Sequence, residues 1–243
     1  MPPRRPWENR DDVHVCAVRF SRHVVNAAFA AAIAAAIVCG LALDQTGRPW
    51  SQPAVDALAW SLFAALLWRS VHPQRIALVA CLLFAAAGEI FLALIWRVYD
   101  YRLGNLPLFV PPGHVLLYAL GCWLSERVPL RATAAFSAAI ALIAIALAVE
   151  GRDQLSLALA VLFVLCMRYG PAPRLYAVMF VLALAMELWG TWLGNWTWRS
   201  QTPWLEWTTL NPPFAAGAFY CVLDWLVGMV RRAQGERLAG VRT

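Results

Sequence analysis

Residues Gly88 to Tyr118 read GEIFLALIWRVYDYRLGNLPLFVPPGHVLLY. Glu89 lies inside an apolar run. An aromatic loop with Trp96, Tyr99, Tyr101 and Asn105 follows. The Pro111-Pro112 pair then opens a second apolar run through His114 and Tyr118. A carboxylate at the centre of a membrane helix costs at least ~2.5–3.5 kcal/mol on insertion scales, so it persists where it faces a bundle interior or a wet cavity. The stretch therefore predicts two helices that cross a bilayer around a polar interior, joined by an aromatic outer loop.

Further along, the same plan returns. Glu187 sits in an apolar run, and WGTWLGNWTWRSQTPWLEW follows at Trp189 to Trp207. Asn211-Pro212-Pro213 then leads to Tyr220 and Asp224 in the last apolar run. The connectors agree: His72-Pro73-Gln74-Arg75 precedes the first glutamate and Pro171-Ala172-Pro173-Arg174 the second. Two copies of one unit are expected, residues 23–124 and 125–232, between tails at 1–22 and 233–243.

Composition sets the class. Of 243 residues, 61% are hydrophobic and 14% charged, with mean hydropathy +0.60. Soluble domains carry roughly 25% charged residues, so the expectation is an all-α polytopic membrane protein. Eight spans are predicted: Val24–Leu43, Ala54–Trp68, Ile76–Trp96, Pro112–Leu124, Ala132–Val149, Gln154–Met167, Arg174–Leu193 and Pro213–Val230. Four spans per unit makes the copies run parallel, a known membrane architecture. The Arg-rich first 22 residues, followed by an apolar run of about 20, suit a signal anchor rather than a cleaved signal.

All 20 basic residues are arginine, and the net charge is +6. With the N-terminus inside, the outer loops hold only Arg48, Arg97, Arg102, Arg152 and Arg199, leaving 20 − 5 = 15 on the inner side. That is the positive-inside pattern. It places both ends in the cytoplasm of a bacterial inner membrane, and it explains the basic charge without nucleic acid. The six cysteines have no close pairing, and all but Cys16 fall in apolar runs. They read as small buried hydrophobes with no disulfide framework.

The candidate chemistry is carried by Glu89, Glu187, Asp224 and His114. The i±4 neighbours of the acids are small or polar: Ala85 and Ala93, Ala183 and Thr191, Tyr220 and Gly228. Each acid is therefore expected on a packing face, with all of them around one shared hollow. Carboxylates gathered in a low-dielectric pocket do not all ionise, so one is expected to hold a proton and act as general acid. Asp44, Asp56, Asp100, Glu126 and Glu150 lie at span ends and are expected to be solvated. Six tryptophans within Trp189–Trp207 exceed one interfacial belt. The surplus suggests pocket walls, with candidate substrate contacts at Trp96, Tyr99, Tyr101, Asn105, Tyr118, Trp189, Trp192, Trp196, Asn211 and Tyr220. There is no histidine cluster, P-loop, glycine-rich dinucleotide turn or Gly-x-Ser-x-Gly elbow, so no metal and no cofactor are expected.

The order glutamate, Tyr99-x-Tyr101, Leu103, Pro107-Leu108-Phe109-Val110-Pro111 resembles the layout of the integral-membrane carotenoid hydratase family. The second unit, with Gly194-Asn195-Trp196-Thr197-Trp198 and Asn211-Pro212, is similar in arrangement. The family's Thr-Gly-x-Pro-Phe-Gly stretch is replaced here by Leu94-Ile95-Trp96-Arg97. Small integral-membrane terpene cyclases, which use paired intramembrane acids, are similar too. Both resemblances imply protonation, hydration or cyclisation of an isoprenoid. The expected function is thus a lyase- or isomerase-type membrane enzyme acting on an isoprenoid or other lipid. The alternatives are a proton-coupled transporter or flippase, and a membrane assembly or binding subunit.

Overall fold

The computed structural model describes residues 16–18, 20 and 23–240. Most of the expected N-terminal tail, with Arg4, Arg5, Arg10, Arg19 and Arg22, lies outside the described residues, as does Arg242. Among the described residues the chain forms eight α-helices: α1 (Ala27–Gln45), α2 (Ser51–Arg69), α3 (His72–Glu89), α4 (Val110–Ser125), α5 (Arg131–Val149), α6 (Gln154–Tyr169), α7 (Pro173–Leu193) and α8 (Phe219–Gly240). Each expected span overlaps one of them. The aromatic loops are not irregular, however. They contribute two short strands, β1 (Tyr99–Tyr101) and β2 (Trp196–Trp198), paired antiparallel with Asp100 opposite Thr197.

Among the described residues, four helices are long and apolar enough to cross a membrane: α1, α3 with its continuation to Ile95, α5 and α7. The others fall short for physical reasons. Helices α4 and α6 have 16 residues each, about 24 Å at 1.5 Å per residue, against a hydrocarbon layer of about 30 Å. Helix α2 spends positions on Ser51, Gln52, Asp56 and Ser61, and α8 carries Asp224, Arg231 and Arg232.

Helix α4 is the axis of the molecule. Val115, Leu116, Leu117, Tyr118, Ala119, Leu120 and Cys122 are all buried, as expected of a helix apolar on every side. It packs on α3 and α7, with α8 behind α3 and α1 and α2 against its near end. The outer helices turn large apolar side chains outward: Leu83, Phe91 and Leu94 after α3's midpoint, Leu142, Ile143 and Ile145 on α5, Val181 and Leu188 on α7. Exposed apolar area of this extent fits contact with lipid.

Local chemistry fixes the boundaries. Asn26 caps α1 by accepting from the Phe29 N–H at 2.9 Å, and Asp153 caps α6 by accepting from the Ser156 N–H, the usual way to satisfy orphan donors. Gly194, at φ 81°, ends α7 in the left-handed conformation that glycine adopts without a Cβ penalty. The last helix starts at Phe219 rather than at Pro213. The Phe214 and Ala215 N–H groups donate instead to Asp153 Oδ2 and Ser156 Oγ, and a 3₁₀ turn spans Ala216–Ala218. Gly217 in that turn lies so close to α7 that an added Cβ would sit 2.5 Å from Phe180 Cα.

Two expectations about single residues are corrected. Cys16 and Cys122 form a disulfide with Cα atoms 5.8 Å apart; a sequence separation of 106 hides the pairing from any spacing rule. Cys81, Cys166 and Cys221 are buried thiols as expected, whereas Cys39 is exposed. Asp44 is not solvated. It is 3% exposed and accepts from Asn195 Nδ2 at 2.8 Å, with Arg102 beside it. Asp56 is half-buried, while Asp100, Glu126 and Glu150 are exposed.

Candidate functional site

Glu89 is the last residue of α3 before the helix widens into a π segment at Ile90–Ile95. The widening has a local cause. Tyr99 comes 10 residues after Glu89, but Trp196 comes 9 after Glu187. A π turn takes up one extra residue without losing the helix, so both glutamates meet their strand at matching height.

The strands then deliver matched donors. The Tyr99 and Tyr101 hydroxyls both donate to Glu89 Oε2, each at 2.7 Å. The Trp196 and Trp198 indole N–H groups both donate to Glu187 Oε2, at 2.7 and 2.9 Å. Period-two alternation puts each aromatic pair on one face of its strand. The ribbon is clipped to α1 from outside: Asn195 Nδ2 donates to Leu41 O and Asp44 Oδ2, the Arg102 N–H donates to Asn195 O, and an Arg102 guanidinium N–H donates to Asp44 O.

His114, in the first turn of α4, supplies the difference between the two carboxylates. Its Nε2 lies 2.7 Å from Glu89 Oε1 and its Nδ1 lies 2.6 Å from the Tyr220 hydroxyl. With Glu89 ionised, Nε2–H donates to the carboxylate and Nδ1 accepts from Tyr220, so every atom of the set has a compatible role. Glu89 thus uses both oxygens. Glu187 Oε1, by contrast, accepts no hydrogen bond among the described residues.

One cavity of ≈ 80 Å³ joins these groups. Glu89, Glu187, His114, Tyr99, Tyr101 and Trp196 line its polar end; Ala36, Ile37 and Leu41 of α1 and Val55, Leu58 and Ala59 of α2 form one apolar wall, and Phe109, Val110, Leu116 and Met186 the other. Leu58 is also exposed on the outer surface, so along the α1–α2 wall the cavity comes close to the outside of the protein. The chemistry available is one hydrogen-bonded carboxylate–imidazole pair and one carboxyl with a free oxygen, at the head of an apolar slot.

Asp224 does not share this hollow, contrary to the expectation that all three acids would. It is 1% exposed and accepts from Tyr118 at 2.6 Å, Tyr176 at 3.2 Å and the Ala17 N–H at 3.0 Å. It lies one helical turn beyond Tyr220 on α8, about 6 Å further along the axis. Tyr118, one turn beyond His114, belongs to the same deeper cluster.

Several expected substrate contacts are also placed elsewhere. Trp96 donates to Pro203 O and stacks on Trp204. Asn105 donates to Gln52 at the surface. Trp189 donates to Val38 O and stacks on Trp192, which is 75% exposed. Asn211 accepts from the Trp198 N–H and so holds the back of β2. Tyr220 touches the site through His114 alone. Conversely, Trp198 was not among the expected contacts although it bonds Glu187; the match between Tyr99-x-Tyr101 and Trp196-x-Trp198 was the signal for it. Comparison of the chain with family models, with curated proteins and with solved structures finds no match, so the reading of the site rests on its own geometry.

Proposed function

We propose that the protein is an integral-membrane enzyme that performs acid–base chemistry on an isoprenoid or other apolar lipid chain. The observation that carries this reading is the convergence of Glu89, Glu187 and His114 on one cavity whose remaining walls are apolar. A lipid tail enters between α1 and α2, and its reactive end reaches the carboxyls. Glu187 Oε1, the oxygen not engaged by the indoles, carries the proton. Indoles only donate, so Trp196 and Trp198 can donate to Oε2 both before and after that proton leaves, and more strongly once the carboxyl is charged.

Protonation of a double bond, or of a leaving group, forms one bond to hydrogen and leaves a carbocation. The faces of Tyr99, Tyr101 and Trp196 line the cavity and stabilise that charge by cation–π attraction. The Glu89–His114 pair then removes a proton, either from the adjacent carbon or from a water that has added. The proton count closes in each case. Asp224, outside the cavity, takes no direct part.

The same proposal includes the wider architecture: eight membrane-embedded helices in two parallel four-helix units, with both termini cytoplasmic in a bacterial inner membrane. Antiparallel pairing of β1 with β2 about Asp100 and Thr197 supports the duplication. So does the exchange of partners in which α3 packs on α8 while α7 packs on α4.

The test is mass spectrometry of lipids that co-purify with the protein, followed by turnover of the identified lipid. The Glu187→Gln variant keeps both indole bonds but has no transferable carboxyl proton. Its turnover is expected to fall by roughly 10²–10⁴-fold, the usual scale for a general acid. Undiminished turnover in this variant, with expression verified, would remove Glu187 from the reaction.

A further inference from the structure

Helix α4 presents Val110, Gly113, His114 and Leu116 to the cavity. At 3.6 residues per turn these positions share one side of the helix, and Gly113 stands near the middle of that side. The α1–α2 wall, on which α4 packs, also offers small side chains to the cavity, at Ala36 and Ala59.

Glycine weakens a helix relative to alanine, because it loses more backbone freedom on folding. Elsewhere in the bundle a neighbour demands it. A Cβ at Gly121 would lie 2.1 Å from Met179 Sδ, one at Gly190 2.0 Å from the Trp196 ring, and one at Gly217 2.5 Å from Phe180 Cα. Gly113 meets no such demand: a Cβ there would have nothing within 4 Å. Its backbone makes no demand either. Its φ is not positive, and its N–H donates to Phe109 O at 2.9 Å as in any helix. Gly88 of α3 is equally open but does not line the cavity. Folded proteins are close-packed and leave few voids. The empty space at Gly113 is part of the cavity, and it adjoins the residue whose imidazole pairs with Glu89.

We propose that Gly113 sets the width of the site: the space left by its missing side chain is filled by the bound apolar chain where that chain passes His114. The nature of the ligand, an apolar chain, rests on the acid–base reading above; the width is read from α4 itself. Gly113 thus decides how much bulk can stand beside the Glu89–His114 pair. A chain thickened at that point is admitted by glycine and refused by alanine.

Photolabelling of the full chain in phospholipid vesicles tests this with two probes. One is a straight-chain alkanol with a diazirine near its far end; the other is the same alkanol with a methyl branch beside the diazirine. Labels are mapped by mass spectrometry to the cavity peptide that holds Glu187 and Trp196, with the exposed α5 segment at Leu142, Ile143 and Ile145 as internal reference. Gly113→Ala is expected to lower cavity labelling by the branched probe roughly tenfold or more, the scale of one methylene in a fitted pocket. Labelling by the straight probe should fall less, and labelling of α5 should not change. Gly88→Ala should leave all three signals as they are. The unfolding midpoint of Gly113→Ala in mixed micelles should equal or exceed that of the unmodified protein, since alanine favours the helix; a glycine needed only for packing would give a lower one. The proposal is overturned by unchanged branched-probe labelling in Gly113→Ala, by an equal loss in Gly88→Ala, by a fall in the midpoint that parallels the loss of label, or by no cavity labelling of the unmodified protein. Turnover in Glu187→Gln separates the two claims. If turnover falls there while Gly113→Ala labels normally, the chemistry stands and the role of Gly113 fails. If labelling follows Gly113 while Glu187→Gln turns over undiminished, the chain site stands and the role of Glu187 fails.

Discussion

Glu89 and Glu187 stand on one ribbon, each with Oε2 held by two aromatic donors from a strand of three residues. What surrounds them differs. Glu89 is 7% exposed and has a third partner in His114; Glu187 is only half-buried, and its Oε1 accepts no hydrogen bond among the described residues. Tyrosine hydroxyls donate and accept, so the Glu89 network can rearrange when a proton moves. Indole N–H groups cannot accept, so the Glu187 network is fixed in direction. The same backbone device thus yields one carboxylate built to stay bonded and one left with an oxygen for other work. The difference traces to a few positions: tyrosine against tryptophan on the strands, and His114 at the start of α4 where the second copy has only Phe214, Ala215 and Ala216.

The largest expected break in this comparison is in stability. Glu89→Ala strands two buried hydroxyls and the imidazole. Each buried donor left without its acceptor costs about 1–3 kcal/mol, and here three are left. Glu187→Ala strands two indole N–H groups at a more open position, for which about 1–3 kcal/mol is the scale. Equilibrium unfolding in mixed micelles should therefore rank Glu89→Ala well below Glu187→Ala. Equal losses would mean that the histidine adds nothing and that the two carboxylates are equivalent.

A smaller effect probes the indole side alone. Gly190 sits one turn beyond Glu187, and an added Cβ would lie 2.0 Å from the Trp196 ring. The ring is boxed in by Glu187 and Tyr101, so Gly190→Ala should push it off its bond. Overpacking of this kind costs about 1–3 kcal/mol. Tryptophan emission should change, and the free oxygen of Glu187 should lose its fixed direction. Unchanged emission would show that the indole does not need that glycine.

Much of this was legible in the sequence, and the failures have definite causes. Glu89, Glu187 and His114 were readable because polar groups inside apolar runs are costly and therefore informative. Tyr99, Tyr101 and Trp196 were readable from their place between those runs. The apolar walls from α1 and α2 were not, because every face of a membrane-type helix is apolar and the pattern does not say which side is the cavity. Asp224 was misplaced by one turn: small neighbours mark a packing face, but not the depth at which a particular partner waits. Trp189 and Trp192 were misplaced because a tryptophan facing lipid and one lining a slot look alike in sequence. The Cys16–Cys122 bond was invisible because only folding brings the two together.

The smallest expected effect lies on the ribbon's outer face. Arg199 pairs with Asp100 across the strands in a two-bond arrangement, at 2.9 Å for the closest contact, but their side chains are 41% and 54% exposed. Pairs of this exposure contribute about 0–1 kcal/mol, and salt screens them. The inner face of the same ribbon carries four bonds to two carboxylates, and its ends are clipped to Asp44 through Asn195 and Arg102. If the ribbon is held in register from inside, Arg199→Ala should leave both the unfolding midpoint and the emission of Trp196 and Trp198 nearly unchanged. Tyr101→Phe should lower the midpoint by more. The reverse ranking would mean that the outer ion pair sets the register and that the aromatic–carboxylate bonds follow from it. The matched heights of Glu89 and Glu187 would then be a consequence of strand pairing rather than its cause.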